Sequence, residues 1–122
     1  MPRYIHFEHF VDEPEKALEF YKNLFGWTGE KFGEFPYWLI TSGPADQPGI
    51  NGGIGGPPAP GGQRVVNTVG VDDIDSTIAK AEEAGATVVR EKMPIPGMAW
   101  FAYLADPTGV VFGVYQEDKS AG

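Results

Sequence analysis

The sequence predicts an α+β chain of two similar halves, each running strand, helix, strand, strand, strand, and three observations carry that prediction. Val11-Asp12-Glu13-Pro14-Glu15 and Leu18 recur 60 residues later as Val71-Asp72-Asp73-Ile74-Asp75 and Ile78. In both halves an apolar run leads into an Asp-started amphipathic stretch, then a glycine, then further apolar runs. The chain has 122 residues, 42% of them hydrophobic and 13% aromatic. That supports one core but not two, because units of about 60 residues bury too little surface to stand comfortably alone. Residues 1–60 and 64–117 are therefore expected to be two modules of a single domain, 1–122, joined by a Gly/Pro-rich linker.

Tyr4 to Val11 has strand content, with Ile5, Phe7, His9 and Val11 on one face and His6, Glu8 and Phe10 on the other. Asp12 reads as a helix N-cap, with Glu15 as its capping-box partner and Pro14 in the first turn, where a missing N–H costs nothing. Ala17, Phe20, Tyr21 and Leu24 keep a helical period as far as Gly26, so a helix is expected over Pro14 to Phe25. Strands follow near Trp27–Lys31 and at Tyr37–Thr41. Alternation puts either Tyr37 or Trp38, but not both, on the face of His6. Gly49-Ile50-Asn51-Gly52-Gly53-Ile54-Gly55-Gly56 lacks the Lys-Ser/Thr and the helix start of a phosphate-binding loop, and Pro57, Pro58 and Pro60 come next. It reads instead as a glycine-rich strand running into the linker.

The second half restarts with a strand over Val65–Val71 and an N-cap at Asp72 or Asp73. Ile74, Ile78 and Ala81 form the buried stripe of a helix ending at Gly85, and Thr87–Arg90 returns as a strand. Met93 to Met98 is expected to be a loop lying against something. Trp100–Ala105 and Val110–Gln116 are the last two strands, joined by Asp106-Pro107-Thr108-Gly109, a sequence suited to a type I turn at every position.

Composition limits the partners. A net charge of −8 repels nucleic acid phosphates and anionic lipid, so a small neutral or cationic molecule is the expected partner, with no nucleic acid and no membrane. No run approaches the roughly 20 apolar residues of a bilayer span, and Met1-Pro2-Arg3-Tyr4 lacks the layout of a signal peptide, so a cytoplasmic protein is expected. Zero cysteines excludes disulfides, thiolate metal sites and cysteine nucleophiles.

The helix containing Phe20-Tyr21 and ending in Leu24-Phe25-Gly26-Trp27, the Val71-Asp72-Asp73 helix start and Ala105-Asp106-Pro107-Thr108-Gly109 together resemble the vicinal oxygen chelate superfamily of glyoxalase I, bleomycin-resistance proteins and extradiol dioxygenases. Ile5-His6-Phe7-Glu8, Pro48-Gly49-Ile50-Asn51-Gly52-Gly53 and Ile95-Pro96-Gly97-Met98-Ala99-Trp100-Phe101-Ala102-Tyr103 are similar to a glyoxalase-like group of small bacterial proteins of unsettled activity. The resemblance covers nearly the whole chain. It implies paired βαβββ modules forming a curved mixed sheet around a cavity, and a homodimer.

Metal-dependent members of that superfamily hold a divalent ion with ligands from the first and last strands of each module. Laid on this sequence, their positions fall on His6, Gly53, Val66 and Gly113. Only His6 offers a donor, and a one-residue slip replacing Val66 with Asn67 adds only a weak amide ligand. One imidazole cannot replace the three or four ligands that offset the dehydration of a divalent ion. No cofactor and no protein-held metal site are therefore expected, and a divalent metal is disfavoured.

His6 and Glu8, two apart on one strand, project to the same side. They are the candidate catalytic pair, as acid–base groups, and equally candidate ligand contacts; the simplest alternative is local hydrogen bonding at a half-wet sheet surface. His9 is expected beneath a helix. Pairing Ala105 with Val110 across the hairpin puts Trp100 opposite Tyr115 and Ala102 opposite Gly113, two aromatics beside a glycine gap suited to a flat apolar ligand, although for either aromatic alone a core or dimer contact is the simpler explanation. Asn51 shares the face of Gly53. The candidate ligand-binding residues are thus His6, Glu8, Asn51, Trp100 and Tyr115. Three functions follow: a metal-free binder of a small organic molecule in an aromatic-lined cavity; a lyase, isomerase or dioxygenase using His6 and Glu8 as acid–base groups or with a partial metal site; and a structural or partner-binding dimer.

Overall fold

The computed structural model describes residues 2–122. The chain divides into a unit of residues His6–Val65 and a unit of Val66–Gly122 that also takes in the start of the first strand, up to Ile5.

The first module contains β1 (Arg3–Phe10), α1 (Pro14–Phe25), β2 (Thr28–Lys31), β3 (Tyr37–Thr41) and β4 (Gly52–Gly55). Its strands run in the order β2-β3-β4-β1, with β4 parallel to β1 and the other neighbours antiparallel. The helix spans the expected residues, but Glu13 rather than Asp12 is its N-cap, and no side chain caps it. Pro14 fixes that choice: it occupies the first helical position, so the half-helical residue before it is Glu13, and the expected Asp12–Glu15 box lies one residue early. Gly26 closes the helix in the left-handed conformation, its N–H donating to the Lys22 carbonyl at 2.9 Å. The buried stripe is also rotated from the expected one. Ala17, Leu18 and Tyr21 are half-buried, whereas Phe20 and Leu24 are exposed. Beneath the helix the core is aromatic: Tyr21 stacks on Trp27 with ring centroids 5.0 Å apart, and Phe7 and His9 pack beside them.

The second module contains β5 (Val65–Gly70), α2 (Ile74–Glu83), β6 (Thr87–Ile95), β7 (Ala99–Ala105) and β8 (Val111–Glu117). Its strand order is β5-β8-β7-β6, with β5 and β8 parallel. Asp73 is the N-cap and accepts a hydrogen bond from the Ser76 N–H at 3.0 Å. Ile74, Ala102, Leu104 and Val114 form the core, with Ile78 and Ala81 against it, so the predicted stripe faces inward. The segment expected as a loop from Met93 is partly strand, since β6 continues to Ile95 across two register irregularities.

The repeat read from sequence is reproduced in the ladders. Glu8 pairs with Gly53 and Thr68 with Gly113; Phe10 pairs with Gly55 and Gly70 with Tyr115. In these two parallel ladders every partner is displaced by the same 60 residues, and the chain is an α+β pair of βαβββ modules.

The hairpin register differs from the predicted one by a single residue. Gly109 donates to the Asp106 carbonyl and Asp106 donates to the Val110 carbonyl, both at 2.9 Å, with Gly109 at φ +93°. A type I turn followed by a left-handed glycine inserts one extra residue on one strand. Ala105 consequently pairs with Val111, Trp100 with Gln116, Phe101 with Tyr115 and Tyr103 with Gly113. Trp100 and Ala102 thus share the face that packs under α2, while Phe101 and Tyr103 share the face of Tyr115 and Gly113.

Candidate functional site: an imidazole–phenol–carboxylate chain

β1 alternates as predicted, placing His6 and Glu8 on the face away from α1 and His9 beneath the helix, its ring 5.8 Å from that of Tyr21. Tyr37 completes the cluster. Its ring lies along β4 over Gly55 and Gly53, so that a Cβ built on Gly53 would collide with its hydroxyl. This explains the glycine-rich strand: Gly53 and Gly55 make room for Tyr37 on one face, and Gly52 makes room for the Phe7 ring on the other. Trp38 takes the opposite face, in a groove with Leu18, Trp27 and Gly29 under α1.

The Tyr37 hydroxyl donates to Glu8 Oε2 at 2.5 Å and lies 2.8 Å from His6 Nε2. A hydroxyl has one proton, and it is committed to the carboxylate; the imidazole Nε2 must therefore donate its own N–H to the phenol oxygen. Hydrogen bonds run in one direction, from His6 through Tyr37 to Glu8. Glu8 is only 6% exposed, so this polar chain is anchored in the interior rather than on a wet surface. The loss of its central hydroxyl in Tyr37→Phe is expected to cost about 1–3 kcal/mol, the range for a buried polar group deprived of a partner. Chemical denaturation of the variant against the native chain measures it, and an unchanged midpoint would contradict the buried chain.

Burial lowers the pKa of both His6 and His9 from the ordinary 6.5. A histidine with a depressed folded pKa binds fewer protons when folded than when unfolded in the window between the two values. Stability therefore rises with pH through that window and is lost as the pH falls from about 6.5 toward the folded values. Asp106 and Asp118 have their pKa lowered from 3.8 by hydrogen bonds, chiefly with Thr108 and Ser120, and act only at more acidic pH. The expected melting temperature is level above about pH 7 and declines below about 6.5, and His9→Gln reduces the decline. A rise on mild acidification would refute the assignment.

The other predicted contacts lie elsewhere. The Asn51 side-chain oxygen accepts from the Ser42 N–H at 2.9 Å and from its hydroxyl at 3.3 Å, pinning the loop between β3 and β4. Trp100 packs on the core under α2, donates Nε1–H to Asp118 at 3.1 Å and carries Lys92 over its ring at 4.5 Å. Tyr115 is half-buried beside Phe101 on the opposite face of the second module, where Arg90 stands over Tyr103. Tyr37, Phe101 and Tyr103 were not among the predicted site residues. For Tyr37 the signal lay in the alternate glycines at 53 and 55, which leave a trough that a ring from the neighbouring strand can fill.

A family-type metal site does not fit these residues. Over Gly53, where a ligand side chain would project, the Tyr37 ring already fills the space; over Gly113 a Cβ would lie 2.5 Å from Thr68 Oγ1. Val66 is fully buried and shares the parity of Thr68, so the slip that would substitute Asn67 does not occur. Among the described residues, no three of His, Cys, Asp and Glu converge to hold an ion.

A family model described as a glyoxalase-like domain matches residues 6–115. The chain is 37% identical over 112 residues to the proteins named Putative glyoxylase CFP32 in Mycobacterium bovis and Mycobacterium tuberculosis. The match covers 88% of this chain and 41% of those relatives, so the chain spans about two fifths of their length. A glyoxalase/bleomycin resistance protein/dioxygenase superfamily member from Vibrio splendidus superposes with a TM-score of 0.69 at 16% identity, over 95% of this chain and 99% of that one. The Mn(II)-bound glyoxalase from Novosphingobium aromaticivorans gives 0.67 at 18% identity, over 100% of this chain and 42% of that one. At such identities the structural likeness carries the fold alone, and it is the fold described above. By the extent of the family model and the identity to the mycobacterial proteins, the chain belongs to the glyoxalase-like domain family of the vicinal oxygen chelate superfamily.

Proposed function

We propose that this domain binds a small organic molecule on the strand face carrying His6, Tyr37 and Glu8, and does so without the divalent ion of the metal-dependent members. The observation that carries the reading is the Tyr37 hydroxyl: it stands where a ligand side chain on Gly53 would project, and it engages His6 and Glu8. A face so arranged offers polar groups of fixed direction beside an aromatic ring, the usual composition of a small-molecule site. Within the second module Tyr115 is a separate candidate ligand contact, and in the first Asn51 acts through the loop it pins. Thermal shift across a panel of aromatic compounds and antibiotics, with and without His6→Ala, tests the binding. Titration with Ni²⁺, Zn²⁺, Mn²⁺ and Fe²⁺ followed by gel filtration tests the metal. Tight stoichiometric metal binding that disappears in His6→Ala would overturn the reading.

The directed hydrogen-bond chain, together with the glyoxylase name of the mycobacterial relatives, favours one second reading, in which His6 and Glu8 act as acid–base groups in a lyase or isomerase. Turnover that resists chelators and is abolished by His6→Ala distinguishes it from binding alone. The homodimer and the cytoplasmic setting belong to the same proposal. Phe20, Leu24 and Phe25 leave an apolar strip exposed on α1, and light scattering of the chain tests whether a partner copy is present. No helix among the described residues is long and apolar enough to cross a membrane.

A further inference from the structure

The hydrogen-bond chain fixes more than the position of the imidazole. Because the phenol O–H donates to Glu8, Nε2 carries the imidazole hydrogen, and in a neutral ring the second nitrogen is then a bare lone pair. The His6 ring makes its only hydrogen bond among the described residues through Nε2. Among the described residues every fully buried side-chain nitrogen and oxygen has a partner, so Nδ1 is not fully buried, and the side chain is 28% exposed. Burial keeps the ring neutral by lowering its pKa.

The neighbours define the rest of the ligand. Leu39 pairs with Gly53, which pairs with Glu8; Tyr37 pairs with Gly55, which pairs with Phe10. Leu39 and Phe10 therefore share the face of Tyr37, and Leu39 is 40% exposed. The acceptor nitrogen thus stands on a face that also carries apolar groups, in a chain of net charge −8 that disfavours anions.

The geometry points to His6 Nδ1 as the anchoring acceptor for a ligand with an apolar body and a hydrogen-bond donor, a hydroxyl, N–H or ammonium group, and to Tyr37 as the positioning residue that holds the ring in this tautomer. The inference rests on the small-molecule reading above and narrows its ligand class. It separates this face from a carboxylate or phosphate site, which would need donors.

Ring-nitrogen NMR of the ¹⁵N-labelled full chain at neutral pH tests both parts. Without ligand, His6 is expected to show a protonated, pyrrole-type Nε2 and an unprotonated, pyridine-type Nδ1, and Tyr37→Phe to shift the ring toward a mixture of tautomers. A protonated Nδ1 in the native chain would overturn the inference before any ligand is added. Phenol and its methyl ether anisole then serve as probes of nearly equal shape. Phenol is expected to move the Nδ1 resonance in a saturable manner, and anisole to leave it in place. Equal effects of the two overturn the donor class while leaving small-molecule binding intact. If neither perturbs any residue of this face, and the aromatic panel gives no thermal shift, both the donor class and the binding reading fall. Unchanged tautomer populations in a folded Tyr37→Phe protein would remove Tyr37 from its role, since lost packing alone does not mimic that signature.

Discussion

Gly52→Ala is expected to lower the stability of the chain by about 3 kcal/mol or more, at the upper end of overpacking costs and a large share of the roughly 5–15 kcal/mol that holds a domain together. A Cβ at this position would be driven into the Phe7 carbonyl oxygen as well as the Phe7 ring. A rotating side chain relieves the second clash but not the first, because the oxygen belongs to the backbone of β1, and Phe7 and Gly52 are ladder partners. The pairing of β4 with β1 must open. Urea denaturation monitored by tryptophan fluorescence measures the loss, and a variant as stable as the native chain would show that the two strands lie farther apart.

Gly53→Ala should behave differently, and the difference is diagnostic. Here the added carbon meets the far end of Tyr37, which can swing away at the cost of its bonds to His6 and Glu8. The expected loss is about 2 kcal/mol, made of steric displacement and broken hydrogen bonds. It should shrink strongly when Tyr37 is already alanine. A double-mutant cycle over Gly53→Ala and Tyr37→Ala is therefore expected to give a coupling of about 1–2 kcal/mol, within the range for residues in contact. Additive losses would mean that Tyr37 does not lie over the glycine, and the case against a family-type ligand at that position would lose its structural basis. The same cycle at Gly52 and Tyr37 should be additive, because those residues use opposite faces of β4.

Much of the fold was legible because the strongest signals are periodic and local. The helix over Pro14–Phe25 and the Asp73 cap are fixed by residues close in sequence, and the strand alternation at His6, Glu8 and His9 follows from backbone geometry alone. What was missed depends on contacts between strands. Trp100 lies on the face opposite to the one a plain hairpin predicts, because one left-handed glycine, Gly109, adds a residue to the turn, and a shift of one exchanges the two faces of everything beyond it. Tyr37 and Trp38 are adjacent aromatics, and only the glycines on the neighbouring strand decide which turns toward His6. Phe20 and Leu24 fit the helical period as well as Leu18 does, yet the sheet selects the narrower Leu18–Tyr21 side. The donor deficit at Gly53, Val66 and Gly113 was readable as residue type. The tyrosine filling one of those places was not, because nothing in the local sequence of β3 refers to β4.

The constant displacement of partners between the two parallel ladders makes parts of the lobes interchangeable. Between β1 and β5, and between β4 and β8, a side chain can be transplanted to its counterpart by point substitution, without insertion or deletion. Histidine in place of Val66 and glutamate in place of Thr68 would reproduce the imidazole–carboxylate motif in the other lobe, beside a glycine at 113 that corresponds to Gly53. Two substitutions would therefore place the same pair on β5 with the strand pairing left as it stands.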